Sequence, residues 1–531
     1  MWFKVWLQLC ACAYLIVVGS CQSCNDTGRP SYMVYGSVNW KCENIKTFPT
    51  SKANVNSITC LNCNIPVLDE NSIPINFKGA IFNISSSHVK KIKENAFKLF
   101  TNNTHKFIFD NNEIDYIAKK VFSKFSQLDE VNLRSNKISK LEPKVFEGTN
   151  VTILDLSQNH LTNIASILNG LRVSTLNLSS NGIKEIESST LDGAVFWVGR
   201  QWSTNRQMLD LSNNFLSKIS PNTFQFSSDS NTLRILHLQK NMLSVIENDT
   251  FSKLNLLWHL SLEGNYISQM HKGCFNGLSS LRILNLANNL LTEIPFGIFG
   301  NIRSLEQLDL SRNSLTTLLP STFSGLSSLT KLNISHNNFQ IIEDSHLLPL
   351  GKLTSLDISD TKLHDFNLQK IMEHHFGLHT LVINDNFWIC SKLVQMYKLI
   401  NRKRMTFSYP SRHFDVPNLH GVACSRQELD SYDNLSFENF LSIISQDPII
   451  EDIFDYQLRQ NESDVNVNNS VAQDVSRISV MLIIVTVISV ILFIFCIVKQ
   501  VLAYLRYGNI VKSDKFSFLY AQNQDKVELL P

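Results

Sequence analysis

The residues of this sequence that come nearest to a chemical site are Glu373, His374, His375 and His379. Imidazole and carboxylate groups bind divalent metals, and two histidines four residues apart share one face of a helix. His379 immediately precedes a predicted strand, however, so a continuous helix cannot present it together with His375, and a metal site is the less favoured interpretation. The sequence also lacks a nucleophile elbow and a glycine-rich phosphate loop. We therefore predict a protein that is not an enzyme and that has no cofactor and no metal.

The middle of the chain repeats one pattern, L-x-L-x-x-N-x-L-x-x-I/L, which is clearest from Leu154 to Ile164. Asparagine fills the N position at Asn112, Asn136, Asn159, Asn181, Asn214, Asn241, Asn265, Asn289, Asn313, Asn337 and Asn386. Degenerate copies place Cys63, Ser87 and Thr361 there, which gives about fourteen units over residues 58–386. Ten residues later, a second position is filled by Phe97, Phe122, Phe146, Phe224, Phe251, Phe275, Phe299 and Phe323. Two independent registers therefore hold over most of the chain.

This pattern is that of a leucine-rich repeat, and it predicts an α/β-type solenoid. Each L-x-L is a short strand with both leucines turned inward, because side chains alternate along a strand. The asparagine also turns inward, where its amide can bond the backbone of neighbouring coils. One unit cannot bury its apolar edge alone, but stacked units form a continuous core. The leucines, asparagines and phenylalanines of the pattern are therefore structural.

Two apolar segments predict the topology. Residues 1–20 carry one lysine, an apolar run and a small-residue end, which is typical of a secretory signal peptide. Residues 478–498 contain no charge, and at 1.5 Å per residue they span about 31 Å, the thickness of a bilayer core. Basic residues follow them, so we predict a type I protein of the cell membrane with its N-terminus outside the cell. A lipoprotein signal that leaves Cys21 first is the less favoured alternative.

Cysteines and glycosylation motifs agree with an extracellular N-terminal part. Ten Asn-x-Ser/Thr motifs precede the apolar segment, at Asn25, Asn83, Asn102, Asn150, Asn177, Asn248, Asn333, Asn434, Asn461 and Asn468. In an oxidising compartment disulfides are the default. In the N-terminal cap, residues 21–57, and the first unit we suggest the pairs Cys24–Cys42 and Cys60–Cys63, although Cys21 leaves an odd count. Cys274, beside a column phenylalanine, is interpreted as a buried free thiol.

The end of the repeats, residues 387–424, resembles the C-terminal cap of extracellular leucine-rich repeat proteins. The sequence Asn386-Phe387-Trp388-Ile389-Cys390 leads into an apolar helical stretch and then to Cys424. Phenylalanine stands where the usual cap has proline, and two of the usual four cysteines remain. The resemblance implies a disulfide between Cys390 and Cys424.

Ligand binding is expected on the outward side of the short strands, which we call the strand face and expect to be concave. The residue between the two leucines is small and polar in nine units: Asn83, Asn132, Asp155, Asn177, Asp210, Asn285, Asp309, Asn333 and Asp357. The richest group of larger polar residues is His237, Gln239, Lys240, His259 and Glu263, on two adjacent units. An ordinary solvated surface is the alternative. Glycans on Asn177 and Asn333 would leave the stretch between them the most accessible.

A longer unit provides a second candidate. The spacing before Asn214 is 33 residues instead of the usual 22 to 25, and the extra residues include Trp197 and Trp202. Exposed aromatic residues in an insertion often mark a partner site. The alternative, that the indoles cover a widened gap in the core, stays open.

The C-terminal part is predicted to be an acidic stalk (residues 425–477), the membrane helix and a cytoplasmic tail (residues 499–531). Two short patterns in the tail resemble sorting signals: Tyr507 to Ile510, and Asp525 with Leu529 and Leu530. They predict endosomal cycling. Residues 21–424 hold 39 basic and 32 acidic groups without a basic stripe, so a nucleic-acid partner is not expected.

With its secreted topology and its Asn-Asp-Asn-x-Trp-x-Cys cap at residues 384–390, the chain resembles the membrane-anchored leucine-rich repeat immune proteins of mosquitoes. The coiled coil of many members is missing. The resemblance implies recognition of a microbial surface or assembly with an immune effector, either as a homodimer or as a heterodimer. The alternative is a cell-adhesion molecule with a short tail.

Overall fold

The computed structural model describes residues 23–26, 37–48, 54–73, 77–168, 170–187, 191, 194–197, 207–221, 223–224, 232–403, 405–407, 413, 415–425 and 436–444. The chain divides into two compact parts, Met1–Gln446 and Asp447–Pro531, and every described residue lies in the first. Within the described ranges no helix combines the length and apolarity needed to cross a bilayer. The predicted signal peptide, the membrane segment 478–498 and the tail motifs lie outside those ranges, as do Asn434, Asn461 and Asn468.

One long sheet runs through the repeats. Its strands are β1 (Ser23–Asp26), β2 (Ser37–Glu43), β3 (Asn54–Leu61), β5 (Phe77–Asn83), β7 (Lys106–Ile108), β9 (Gln127–Asn132), β10 (Asn150–Asp155), β11 (Arg172–Asn177), β12 (Val195–Phe196), β13 (Met208–Asp210), β14 (Ile235–His237), β16 (His259–Ser261), β18 (Ile283–Asn285), β19 (Gln307–Asp309), β20 (Lys331–Asn333), β21 (Ser355–Asp357), β22 (Thr380–Val382) and β23 (Thr406–Phe407). The strands pair in parallel, except for the antiparallel pair β1–β2. The predicted parallel solenoid is confirmed.

The remaining elements are short. Two small parallel sheets are formed by β4 (Val67–Leu68), β6 (Lys91–Ile92) and β8 (Tyr116–Ile117), and by β15 (Val245–Ile246) and β17 (Gln269–Met270). The helices are α1 (Ala165–Leu168), α2 (Asp344–Leu347), α3 (Leu368–His374), α4 (Cys390–Lys403) and α5 (Phe437–Ile444). An antiparallel hairpin joins β24 (Asn418–Leu419) to β25 (Val422–Ala423).

The core lies behind the long sheet, as the pattern predicts. Both leucines of each strand are buried, for example Leu236 and Leu238, and so are the column phenylalanines such as Phe251. In the first units phenylalanine also replaces leucine on the strands, and rings such as Phe97 and Phe107 pack with centroids 4.7 Å apart. Burial of these side chains drives the stacking of the units.

The asparagine column links each coil to the preceding one. Asn265 is typical: its Nδ2 donates to the carbonyls of Leu238 in the preceding unit (3.0 Å) and of Leu262 in its own unit (2.9 Å). Its Oδ1 accepts from the backbone N–H of Leu243, at 3.1 Å. A single buried amide thus satisfies three backbone groups that have no strand partner. The role predicted for the asparagines is confirmed.

The residue just before each asparagine is left-handed, with positive φ, in unit after unit. The position is occupied by Asn62, Ser86, Asn111, Ser135, Gln158, Ser180, Asn213, Lys240, Asn288, Arg312, His336, Asp360 and Asp385, with Gly264 as the glycine of the series. The conformation directs the N–H at the next coil: the N–H of Lys240 donates to the carbonyl of Glu263 at 2.8 Å. This hydrogen bond accounts for a backbone conformation that side chains ordinarily disfavour.

The two ends of the solenoid are held by disulfides. Cys60 is bonded to Cys63, and Cys390 to Cys424, which are the pairs expected from the sequence. Cys42 is also disulfide-bonded, and Cys24 lies opposite it in the β1–β2 pair.

The parallel ladder begins one turn before the first predicted repeat, within the region expected to be the N-terminal cap. Strand β2 pairs with β3 in register, Cys42 opposite Cys60. The left-handed Asn44 then donates its N–H to Leu61 in the next coil. At the other end, α4 and the β24–β25 hairpin cover the last coil, and the buried Trp388 donates to the carbonyl of Ile383 at 2.6 Å.

Candidate functional site

The predicted polar group lies together on units 8 and 9, within a stretch of the strand face formed by three consecutive units. Counting Cys63 as unit 1, these are unit 7 (Asn214), unit 8 (Asn241) and unit 9 (Asn265). His237 lies on β14 and His259 lies on the paired strand β16. Their rings meet edge to face with centroids 5.3 Å apart. We call His237, Gln239, Lys240, His259 and Glu263 the polar patch.

The members of the polar patch differ in what they contact. His237 Nδ1 lies 3.6 Å from a carboxylate oxygen of Asp210 on the neighbouring strand. Glu263 accepts a hydrogen bond of 2.9 Å from the side-chain amide of Asn285. Lys240 is exposed at the left-handed position, and the buried Oε1 of Gln239 has no hydrogen-bond partner among the described residues. The hydrogen-bonding groups of the polar patch are therefore not all paired within units 8 and 9.

Burial and hydrogen bonding shift the pKa values of His259 in the polar patch and of Asp210 beside it. Desolvation, aided by the nearby His237, lowers the pKa of His259 to about 4, so that this imidazole is neutral near pH 7. Burial acts to raise the pKa of Asp210, but hydrogen bonds from His237 and Ser212 outweigh it and the net pKa is lowered. The patch thus combines a neutral imidazole with an ionised carboxylate.

The insertion of the long unit departs from the strand face itself. Strand β12 pairs with Arg172 and Val173 of β11, whereas β13 pairs with Thr175 onward. One neighbouring strand is therefore matched by two pieces of chain that are separated in sequence by residues 198–206, which lie outside the described ranges. Trp197 ends the first piece and is half-buried, while Trp202 lies outside the described residues.

A second row of side chains lies at the edge of the strand face, one residue before the strands of units 7 to 9. Gln207, Arg234 and Trp258 follow one another across the sheet, because the N–H of Arg234 donates to the carbonyl of Gln207 and that of Trp258 to the carbonyl of Arg234, both at 2.9 Å. Trp197 ends the neighbouring piece. We call Trp197, Gln207, Arg234 and Trp258 the donor row.

The donor row has buried polar atoms without partners. The indole Nε1 atoms of Trp197 and Trp258 and the Nε of Arg234 are buried and find no hydrogen-bond acceptor in the described part of the chain. The side chain of Gln207 is fully buried, and neither of its amide atoms is paired there. Groups left in this state cost free energy, so their concentration in one place requires a physical explanation.

Sequence reasoning missed Gln207, Arg234 and Trp258. They stand two residues before the first leucine of each unit, a position that the L-x-L-x-x-N pattern does not include. The available signal was an alignment of the units extended two residues upstream of the first leucine, where large side chains stand in units 7 to 9.

The apolar residues beside the strand face form another feature. Directly after the asparagines of units 7 to 10 stand Phe215, Met242, Tyr266 and Leu290, with 47, 45, 55 and 50% of their surface exposed. We call these four residues the apolar stripe. At the same position in units 2 to 4 stand His88, Glu113 and Lys137, which form a chain of ion pairs.

The glycosylation motifs within the described residues fall in three groups. Asn83, Asn177 and Asn333 lie on the strand face, half-buried, and each accepts a hydrogen bond from the backbone N–H two residues later. Asn102 and Asn248 are exposed away from the strands. Asn25 and Asn150 lie in β1 and β10. Glycosylation at each site stays a prediction.

The histidine group near residue 375 is dispersed. Helix α3 ends at His374, and the following His375 is buried, whereas His379 is exposed ahead of β22. Within the described ranges there is no cluster of three or more residues able to hold a metal ion. Cys274 is a buried free thiol, and burial raises its pKa.

Comparison with known proteins agrees with this architecture. The family description "Leucine rich repeat" matches residues 102–161, 126–183, 231–291, 259–315 and 303–363, and a second leucine-rich repeat description matches residues 207–227. A structure of an LRR protein of Leptospira interrogans aligns with a TM-score of 0.55 and 20% identity, over 70% of this chain and 90% of that one. That likeness concerns the fold.

Two further proteins are similar in sequence. An immunoglobulin domain and leucine-rich repeat-containing protein 2 of Caenorhabditis elegans is 25% identical over 171 residues, 32% of this chain and 19% of that protein. Mimecan of Mus musculus is 27% identical over 227 residues, 40% of this chain and 62% of mimecan. The chain thus spans less than two thirds of the length of either relative.

Proposed function

We propose that this leucine-rich repeat protein is a non-catalytic receptor of the cell surface that binds a protein ligand on the strand face of units 7 to 9. The observation that carries the proposal is the group of buried polar atoms in the donor row, next to the polar patch, that have no partner among the described residues. Elsewhere the strand face is lined by small polar side chains whose hydrogen bonds are made within the repeat, as at Asp155 with Ser157. Leucine-rich repeats serve generally as scaffolds for protein interaction.

The proposed biological setting is innate immunity. Its support is the resemblance of the cap at residues 384–390 to the mosquito immune proteins, together with the predicted signal peptide, membrane segment and glycosylation motifs. In this setting the ligand is a microbial surface component or an immune effector protein, and the chain acts from the plasma membrane.

The test is a comparison of matched ectodomain variants. Residues 21–476 are used to capture ligands from body fluid, and the captured proteins are identified by mass spectrometry. A variant with His237→Ala, His259→Ala and Glu263→Ala should lose the specific ligand, because it removes the side chains that the patch presents. The control Lys137→Ala changes a strand-flanking residue of unit 4 and should retain it. Equal capture by both variants would contradict the proposal.

The second candidate function is cell adhesion through contact between two copies. The observation that favours it is the apolar stripe, since four neighbouring exposed apolar side chains are typical of a protein-binding surface. Cells that express the full chain should then aggregate without added ligand, and Tyr266→Lys should abolish the aggregation. Aggregation that persists in this variant, or is never seen, excludes adhesion through the stripe.

A further inference from the structure

Two arginines occupy the same position in neighbouring parts of the sheet but differ in their partners. Arg282 of unit 10 forms an ion pair with Glu306 of unit 11, with Nη1 3.2 Å from Oε1. Arg234 of unit 8 is half-buried, and its buried Nε finds no hydrogen-bond partner among the described residues. A half-buried guanidinium without an acceptor is an incomplete site, because this group has five N–H donors and no acceptor.

The neighbours of Arg234 add more donors than acceptors. Adjacent strands lie about 4.8 Å apart, so Gln207 and Trp258 flank Arg234 on its two sides in the backbone ladder. An indole can only donate, and the Nε1 of Trp258 is unpaired among the described residues. Gln207 contributes a buried amide whose N–H₂ group and Oε1 are both unpaired there, so it adds two donor hydrogens and one acceptor.

The nearby acids are already engaged. Asp210 accepts from the backbone N–H of Ser212 at 2.9 Å and faces His237. Glu263 accepts from Asn285 at 2.9 Å. The donor row therefore has positive charge and N–H groups in excess, and neither of these two carboxylates is free to balance them.

We propose that the donor row binds a carboxylate group of the protein ligand, supplied by an acidic segment. The fork of the guanidinium matches the two oxygens of a carboxylate, and the indole and amide N–H groups complete its hydrogen bonding. This site rests on the proposed function, since it specifies the ligand that the strand face recognises. It assigns to Arg234 the role of charge anchor, to Trp258 and Trp197 that of N–H donors, and to Gln207 that of a buried amide that pairs once the ligand is bound.

The experiment uses cells that display the full chain, in buffer of physiological ionic strength to screen unspecific attraction. The probe is a fluorescein-labelled peptide of alternating glutamate and glycine. The same peptide with glutamine in place of glutamate is the neutral control, and a heparin oligosaccharide is the sulfated polyanion. Surface expression and the thermal unfolding midpoint of each variant are measured alongside binding.

Arg234→Gln should weaken binding of the acidic peptide by about tenfold or more, because a charge-assisted bidentate contact is lost. Arg234→Lys keeps the positive charge but lacks the paired N–H donors of the guanidinium. It should therefore retain only part of the affinity for the acidic peptide. Trp258→Phe keeps the ring, loses the N–H, and should weaken binding a few-fold. The matched control Arg282→Gln should bind as the wild type does, since that arginine is already paired.

The carboxylate site is overturned if the acidic peptide does not bind, or if Arg234→Gln and Arg282→Gln weaken binding of the peptide equally. It is also overturned if Arg234→Gln weakens binding of heparin but not of the acidic peptide. Failure of this site and failure of the receptor function can be told apart. If the captured ligand requires His237 and His259 but Arg234→Gln changes nothing, the receptor stands and the carboxylate site falls. If the patch variant retains its ligand while Arg234→Gln loses the acidic peptide, the carboxylate site stands and the proposed binding of the ligand by the polar patch falls.

Discussion

Units 2 to 5 and units 7 to 9 share one framework but differ in how completely their surface charges are paired. In the first group charges are paired between coils: Lys106 with Glu130 at 3.2 Å, and Lys137 with Glu113 at 2.8 Å. Hydrogen bonds from Lys137 and His88 lower the pKa of Glu113 to about 2, so the Lys137–Glu113 pair persists into acid. In the second group Arg234 is unpaired among the described residues.

This difference follows from the spacing of the coils. Equivalent residues of adjacent units lie about 4.8 Å apart, so a charge finds a partner whenever the next unit supplies the opposite charge at that position. Where the next unit supplies an indole or an amide instead, the charge stays available. Because the framework residues lie behind the sheet, the surface positions can vary in this way without altering the fold. The comparison therefore separates a surface completed within the chain from one open to a ligand.

The largest effect should come from the framework that both regions share. Replacing Asn265 by leucine removes the amide that pairs with the carbonyl of Leu238 and the N–H of Leu243, and it should lower the free energy of unfolding by about 3 kcal/mol. Urea denaturation of the ectodomain measures this. The control Asn288→Ser changes an exposed asparagine at a left-handed position that serine occupies in other units. A similar loss in both variants would show that the column does not carry the stability assigned to it.

A buried amide in the open region should behave in the opposite way. Gln207 is as buried as the framework asparagines, but its two amide atoms have no partner in the described ranges. Gln207→Met keeps the volume and removes the unpaired groups, so it should raise the free energy of unfolding by about 1–2 kcal/mol while weakening ligand binding. The same denaturation experiment applies. A decrease in stability would mean that the amide is satisfied in the folded protein.

The smallest effect is a dependence of stability on pH that arises in the polar patch. The pKa of His259 is about 4 in the folded protein, below its ordinary value of 6.5. Between these values the unfolded chain binds the additional proton, so stability is complete above pH 6.5 and falls as the pH decreases toward 4. The thermal midpoint of His259→Gln, measured from pH 7.5 to 4, should fall less steeply than that of the wild type. Parallel curves would contradict the assignment.

The framework was predictable from sequence because it is periodic. The inward leucines, Asn265 with its equivalents and Phe251 with its equivalents recur at fixed spacing, and the physical chemistry of one unit applies to all. The binding candidates were predictable only in part. The polar patch stands at the positions where a solenoid presents its side chains, whereas the donor row lies at a position that the motif does not include.

The insertion shows the same limit. Its length was visible from the spacing before Asn214, but its point of departure depends on which residues pair with β11. That register is a contact between residues from separate units, and no local pattern specifies it. The same holds for β2, which joins the parallel ladder although no repeat motif marks it.

The sequence by itself determined that the chain stacks leucine-rich units and which side chains of each unit face the core. These properties follow from the chemistry of a single unit repeated. Only the tertiary structure decided which polar groups find partners. Whether Arg234 or Arg282 is paired depends on the residue that stacking brings beside it, and that residue lies more than twenty positions away in the chain.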